Sequence, residues 1–252
     1  MSEKYHKARK SLGQNFLKSK PAIKKIIEAG EISSKDVILE IGPGKGVLTE
    51  GLLERAWQVI AIEKDQELFE LLKNKFSKKI DSSKLKLLND DILDFHPGSI
   101  GRYKIIANIP YNITGAILKK FLTNKNQPER MVLMVQHEVA QRIIGKKESV
   151  LSISVKAYGE PKMVMKVPAR YFSPSPKVDS AIISIKNISR KNFIENGINE
   201  EKFWEIVKKG FAHKRKKLSS NLKSIVSKEK ELFKDKRAED LSLKDWILLS
   251  KN

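Results

Sequence analysis

The tetrapeptide Asn108-Ile109-Pro110-Tyr111 sets a side-chain amide, a constrained backbone carbonyl and an aromatic ring side by side. That combination suits an aromatic amine. The lone pair of such an amine is delocalised into its ring. A site that makes it nucleophilic must accept both hydrogens, drive the nitrogen towards tetrahedral geometry and aim the lone pair at an electrophile. The Asn108 side-chain oxygen can accept one hydrogen. Pro110 forces Ile109 out of the helical region, which can turn the Ile109 carbonyl towards the other. Tyr111 supplies a flat face for an extruded base, worth about 1–3 kcal/mol of stacking. No general base is needed in the attack, because positioned acceptors carry the rate. A β-turn that merely ends a strand is the plainer account of the same residues.

The electrophile needs its own site, and Gly42-Pro43-Gly44-Lys45-Gly46 is the candidate. Glycines let the backbone turn tightly and approach a ligand, and a helix start beyond them offers unpaired amides. A nucleotide-triphosphate loop would need Ser or Thr after Lys45, where Gly46 stands. A dinucleotide fingerprint wants its third glycine where Val47 stands. The remaining ligand reading is the E-x-G-x-G-x-G turn of S-adenosylmethionine-dependent methyltransferases, beginning at Glu40; a plain glycine-rich strand–helix turn is the alternative. Glu63, at the end of the next strand-like run, can accept from two ribose hydroxyls, or be a solvated rim residue. Asp91 follows the third run and could accept from an adenine amine. Asp90 beside it competes for that role, and helix capping would explain either.

These residues sit where strand-like runs end. VILEIG (37–42), QVIAIE (58–63), KLKLLN (84–89), YKIIANI (103–109) and MVLMVQ (131–136) are short and mostly apolar. Amphipathic patterns over 47–56, 66–76 and 116–122 alternate with them. Such alternation predicts an α/β fold, a doubly wound sheet covered on both faces, with ligands at the carboxyl ends of the strands; a Rossmann-like sheet of the class I methyltransferase type is what resemblance of the glycine turn to those enzymes implies. The proline-rich stretch 163–186 reads as a hairpin or sheet edge bearing an irregular loop. The expected organisation is a catalytic domain over 1–186 with a basic N-terminal arm, a linker over 187–199 and a small all-α domain over 200–252.

The net charge is +20, and its placement is the informative part. Residues 1–25 hold eight Lys/Arg against one Glu, and residues 202–237 hold thirteen against four Asp/Glu. Cations so grouped suit a polyanion, because each phosphate contact releases condensed counterions; a lysine-rich solvated surface is the alternative. The hydrophobic fraction of 40% and charged fraction of 32% are those of a globular chain. There is no cysteine, which removes disulfides, thiolate nucleophiles and cysteine-ligated metals. No stretch approaches the roughly 20 apolar residues of a membrane span, and MSEKYHKARK lacks the apolar core of a secretory signal. A cytoplasmic monomer without membrane association is expected.

Taken together, GQNFL (13–17), EIGPGKGVLTE (40–50), IEKD (62–65), NIPYNI (108–113), FSPSPKVDS (172–180) and FAHKRKKLSSNL (211–222) resemble the KsgA family, the small-subunit rRNA adenine dimethyltransferases, over nearly the full chain. The resemblance implies S-adenosylmethionine as methyl donor, no metal, and adenines of rRNA in the small ribosomal subunit or its assembly intermediate as substrate. It implies that Asn15 and Leu17 lie against the cofactor, Gly42 at its methionine end, Glu63 at the ribose, Asp91 at the adenine, and Asn108 at both cofactor and target amine. It implies Phe172 stacking on the target adenine opposite Tyr111, where the residue alone reads equally as a core aromatic. The C-terminal basic helices would then bind rRNA. The erythromycin-resistance methyltransferases of large-subunit rRNA share the same catalytic motifs; PKVDS and FAHKRKKLSSNL favour the small-subunit enzymes. A non-catalytic RNA-binding assembly factor is a further alternative, against which Asn108 and Tyr111 speak, and a DNA adenine methyltransferase is another, against which NIPY in place of a D-P-P-Y-type motif speaks.

Overall fold

The computed structural model describes residues 8–223 and 230–251. The strands are β1 (Phe16–Leu17), β2 (Val37–Ile41), β3 (Gln58–Glu63), β4 (Leu85–Asn89), β5 (Lys104–Asn108), β6 (Arg130–Gln136), β7 (Glu160–Val167), β8 (Phe172–Ser173) and β9 (Ser180–Lys186). The helices are α1 (Lys20–Gly30), α2 (Val47–Leu53), α3 (Gln66–Lys75), α4 (Ser77–Asp81), α5 (Thr114–Leu122), α6 (His137–Ile144), α7 (Val150–Lys156), α8 (Lys191–Asn196), α9 (Glu200–Gly210), α10 (Leu218–Asn221), α11 (Lys230–Phe233) and α12 (Leu243–Leu249). Seven strands form one sheet in the order β4-β3-β2-β5-β6-β9-β7, in which β2 to β6 pair in parallel and β9 runs antiparallel to both its neighbours. β1 and β8 form a separate two-stranded antiparallel ribbon that aligns Leu17 with Phe172.

Because successive strand residues face opposite sides, apolar strands need a core on each face. The sheet does this residue by residue. Ile38, Val59, Ala61, Ile106, Val132 and Met134 pack on one face against Ile26 of α1 and Leu52 of α2. Leu39, Ile60, Ile62, Ile105, Leu133 and Val135 pack on the other against Phe121 of α5 and Ile143 of α6. Phe203 and Val207 of α9 and Trp246 of α12 belong to this second core.

The stretch 187–199, read from the sequence as a linker, is tied down. It contains α8, whose Phe193 is buried, and Arg190 donates to the carbonyls of Thr123 and Asn124 at 2.7 and 2.9 Å and to Glu200 at 2.9 Å. Polar composition hid an apolar anchor and an arginine with backbone partners. Beyond it the regular elements among the described residues are helices, apart from one bridge pairing Lys217 with Arg237. No helix among the described residues is long and apolar enough to cross a membrane. Lys4, Lys7 and Lys228 of the basic segments lie outside the described residues.

Candidate active site

A cavity of about 630 Å³ opens at the carboxyl ends of β2, β3 and β5. β2 runs into the glycine turn, where Gly42, Gly44 and Gly46 all have positive φ, at 62°, 60° and 74°. They differ in what surrounds them. A Cβ on Gly46 would strike the Phe76 ring at 2.6 Å, so that position serves packing. A Cβ on Gly42 would meet no atom within 4 Å, and Gly42 lines the cavity, so its missing side chain leaves open space there.

Glu63 ends β3 and is buried at the cavity wall. Its two oxygens accept from the amides of Gly44 at 3.0 Å and Asp65 at 2.9 Å, which ties the glycine turn to the start of α3. Burial raises its pKa, against the pull of those amides. Each carboxylate oxygen keeps a second lone pair, so two hydroxyls can still be bound. Asp91 is half-buried at the cavity edge, while Asp90 is exposed. Asp91 accepts from Lys64 Nζ at 2.7 Å and the Leu93 amide at 2.9 Å. Partial burial raises its pKa, but Lys64 and that amide outweigh burial and the net shift is downward. Asp90 turns its carboxylate back onto the Asp91 amide at 2.7 Å.

Asn108 ends β5 on the same wall, and its amide nitrogen donates to the Asn15 carbonyl at 3.1 Å. That bond commits the nitrogen and leaves the amide oxygen to accept. Pro110, with φ −60° and ψ 132°, leads into a single 3-10 turn over Tyr111–Ile113. The Tyr111 hydroxyl pairs with Ser180 Oγ at 2.5 Å, which fixes the ring as a cavity wall; burial raises its pKa and keeps it a neutral phenol. Asn15 and Leu17 line the front of the cavity on the β1 side. The segment before them is latched to α3, since Gln14 donates to Asp65 at 2.8 Å and Arg9 to Glu67 at 2.6 Å.

The structure therefore brings Asn15, Leu17, Gly42, Glu63, Asp91, Asn108 and Tyr111 to one cavity. Phe172 stands apart from them. Its ring is 2% exposed, packed in the core beneath the β1–β8 ribbon, and it lines no part of the cavity. Its pairing with Leu17 turns it inward, towards Leu17 and Val167 of the same core. Sequence reasoning gave no role to Glu40 or Ser180. Glu40 is 1% exposed, lines the cavity, and has an Oε2 with no hydrogen-bond partner; burial pushes its carboxyl up to about 8. Its place at the head of the glycine motif was the available signal. The Ser180–Tyr111 bond joins distant segments and had none.

The sheet order, the glycine turn and the acids at successive strand ends define a class I S-adenosylmethionine-dependent methyltransferase. Residues 5–251 match the family described as ribosomal RNA adenine dimethylase. A "Ribosomal RNA small subunit methyltransferase A" of Dehalococcoides mccartyi is 40% identical, with 95% of this chain and 86% of the relative covered. One from Fusobacterium nucleatum is 39% identical, with 97% of each chain covered. Among solved structures, a dimethyladenosine transferase from Plasmodium falciparum superposes with a TM-score of 0.80 at 26% identity, covering 93% of this chain and 95% of that one. The 23S rRNA methyltransferase ErmE gives 0.76 at 26% identity, covering 93% and 98%. The chain belongs to the ribosomal RNA adenine dimethylase family. It is an S-adenosylmethionine-dependent enzyme that acts on adenosines of ribosomal RNA.

Proposed function

We propose that this enzyme methylates the exocyclic amines of adenines in the small ribosomal subunit or its assembly intermediate, adding two methyls per base. The observation that carries the chemistry is the Asn108 amide, held by Asn15 so that its oxygen is left to accept at the cavity wall. The small-subunit assignment is supported by relatives of that name at 36–40% identity across nearly the whole chain.

The bound cofactor supplies an electrophilic methyl group. Glu63 would hold its ribose hydroxyls and Gly42 leaves room at its methionine end. Asp91 would take its adenine amine, a part for which a half-buried carboxylate is better suited than exposed Asp90. Asn15, Leu17 and Asn108 would complete the wall. Asn108 and the Ile109 carbonyl accept the two hydrogens of the target amine, which drives its lone pair out of conjugation. Tyr111, fixed through Ser180, gives the flipped base one stacking face. The basic C-terminal helices over 200–252 and the N-terminal arm would grip rRNA backbone.

The test is incubation with labelled cofactor and separated unmethylated small subunits, large subunits and naked rRNA, followed by nucleoside mass spectrometry. Dimethyladenosine formed in small subunits is the expected result. Label appearing only in large subunits would overturn the assignment.

A further inference from the structure

A second cavity of about 380 Å³ adjoins the first and shares Gly13, Asn15, Tyr111 and Asn112 with it. Its own contributions are Lys10 and Gln136. It lies within the size range of small-ligand pockets, about 300–1,000 Å³. Gln136 ends β6, and its cross-strand partner is Ser180, the residue that anchors Tyr111. Gln136 is also the N-cap of α6, yet its side chain accepts no cap bond. Neither Gln136 nor Asn112 makes a side-chain hydrogen bond to any described residue. Two amides with no structural task thus flank the anchored tyrosine.

We propose that this cavity takes the ring of the target adenine and that the Gln136 amide donates to a ring nitrogen flanking the amine. The inference rests on the reading of the enzyme as an adenine methyltransferase. Once Asn108 and the Ile109 carbonyl hold both amine hydrogens, the remaining polar atoms beside C6 are N1 and N7. Both are acceptors only, so a polar neighbour must donate, and the Gln136 amide carries two N–H groups. Lys10 at the same cavity is placed for the phosphate of the extruded nucleotide, which positions it without reading the base. A contact to N1 rejects bases carrying a hydrogen there, because two donors would face each other. A contact to N7 rejects cytosine, which has an amine beside a ring acceptor but no such atom.

The test uses the full-length enzyme and small subunits reconstituted with rRNA in which one methylatable adenosine is replaced by 1-deazaadenosine or 7-deazaadenosine. Each analogue keeps the amine and removes one acceptor. With wild type, one analogue is expected to lower kcat/KM about 10-fold against adenosine. Gln136→Ala is expected to lose about the same on adenosine, to show no further loss on that analogue, and to bind S-adenosylmethionine as wild type does. The inference falls if both analogues react like adenosine with wild type, or if the sensitive analogue loses equally with wild type and variant. The wild-type comparison stands even if the variant misfolds. Methylation of unmodified subunits is the separate readout of the underlying reading: none at all sinks both, whereas methylation without discrimination sinks only the Gln136 contact.

Discussion

Around the cofactor cavity Glu40, Glu63 and Asp65 are buried, and Glu63 and Asp65 accept backbone amides. After α9, Lys214, Arg215 and Lys216 stand exposed and, among the described residues, make no ion pair; Lys217 is bound to Asp235 at 2.7 Å. One region holds a few desolvated acids in fixed geometry, the other a row of solvated cations. Buried acceptors are worth much individually because an unmatched partner costs its full desolvation. Exposed cations are worth little individually and act through counterion release. Small-molecule affinity and chemistry should therefore hang on single residues, and RNA affinity on a sum.

The largest effect that would break this division is at Asn108. Asn108→Ala is expected to lower kcat about 1,000-fold, the scale of losing a positioned acceptor, while RNA affinity changes by no more than a few-fold. Single-turnover methylation beside filter binding measures both; near wild-type turnover would remove Asn108 from the chemistry. Next is Glu63→Ala, expected to weaken S-adenosylmethionine binding by about 2–4 kcal/mol. Calorimetry on the folded variant checks this, and unchanged affinity would refute the ribose assignment.

Glu40 sharpens the comparison through pH. Its folded-state pKa is raised from 4.5 to about 8, so the fold favours the protonated acid. That stability is fully present below about 4.5 and is lost as pH rises through about 8. The expected loss is on the order of 2–3 kcal/mol, since water in the cavity relieves part of the burial. Denaturant unfolding from pH 5 to pH 9 is expected to show the decline in wild type and a clearly smaller one in Glu40→Gln, where the raised Glu63 remains. The smallest effect per residue lies in the cationic loop. Neutralising Lys214, Arg215, Lys216 and Lys217 together should remove about three phosphate contacts, because Lys217 is already paired. The slope of log affinity against log salt then shrinks by roughly 0.7–0.9 per contact. An unchanged slope with small subunits would pass the role to the N-terminal arm.

What the sequence made legible was local. The ends of β2, β3 and β5, where Gly42, Glu63 and Asn108 sit, follow from apolar runs stopped by glycine, acid or proline, and the structure departs from those limits by at most a residue. Charge placement was legible for the same reason. Phe172 was not, because its direction is set by pairing with Leu17 from the opposite end of the catalytic region. The anchoring of 187–199 depends on carbonyls left over at the end of α5. The roles of Ser180 and Gln136 come from a strand register, which no neighbouring residue encodes.

The β1–β8 ribbon carries a consequence for synthesis. The front wall of the cavity, Asn15 to Leu17, leaves the ribosome well ahead of its strand partner, Phe172 to Ser173. Joining them closes a loop around almost the entire sheet, so the contact forms late, after most of the sheet's strands have been made. Nascent chains stalled short of Phe172 would therefore hold the glycine turn without its cover and retain S-adenosylmethionine poorly. Chains released past β9 would retain it, and binding to chains stalled at successive lengths reads the step directly.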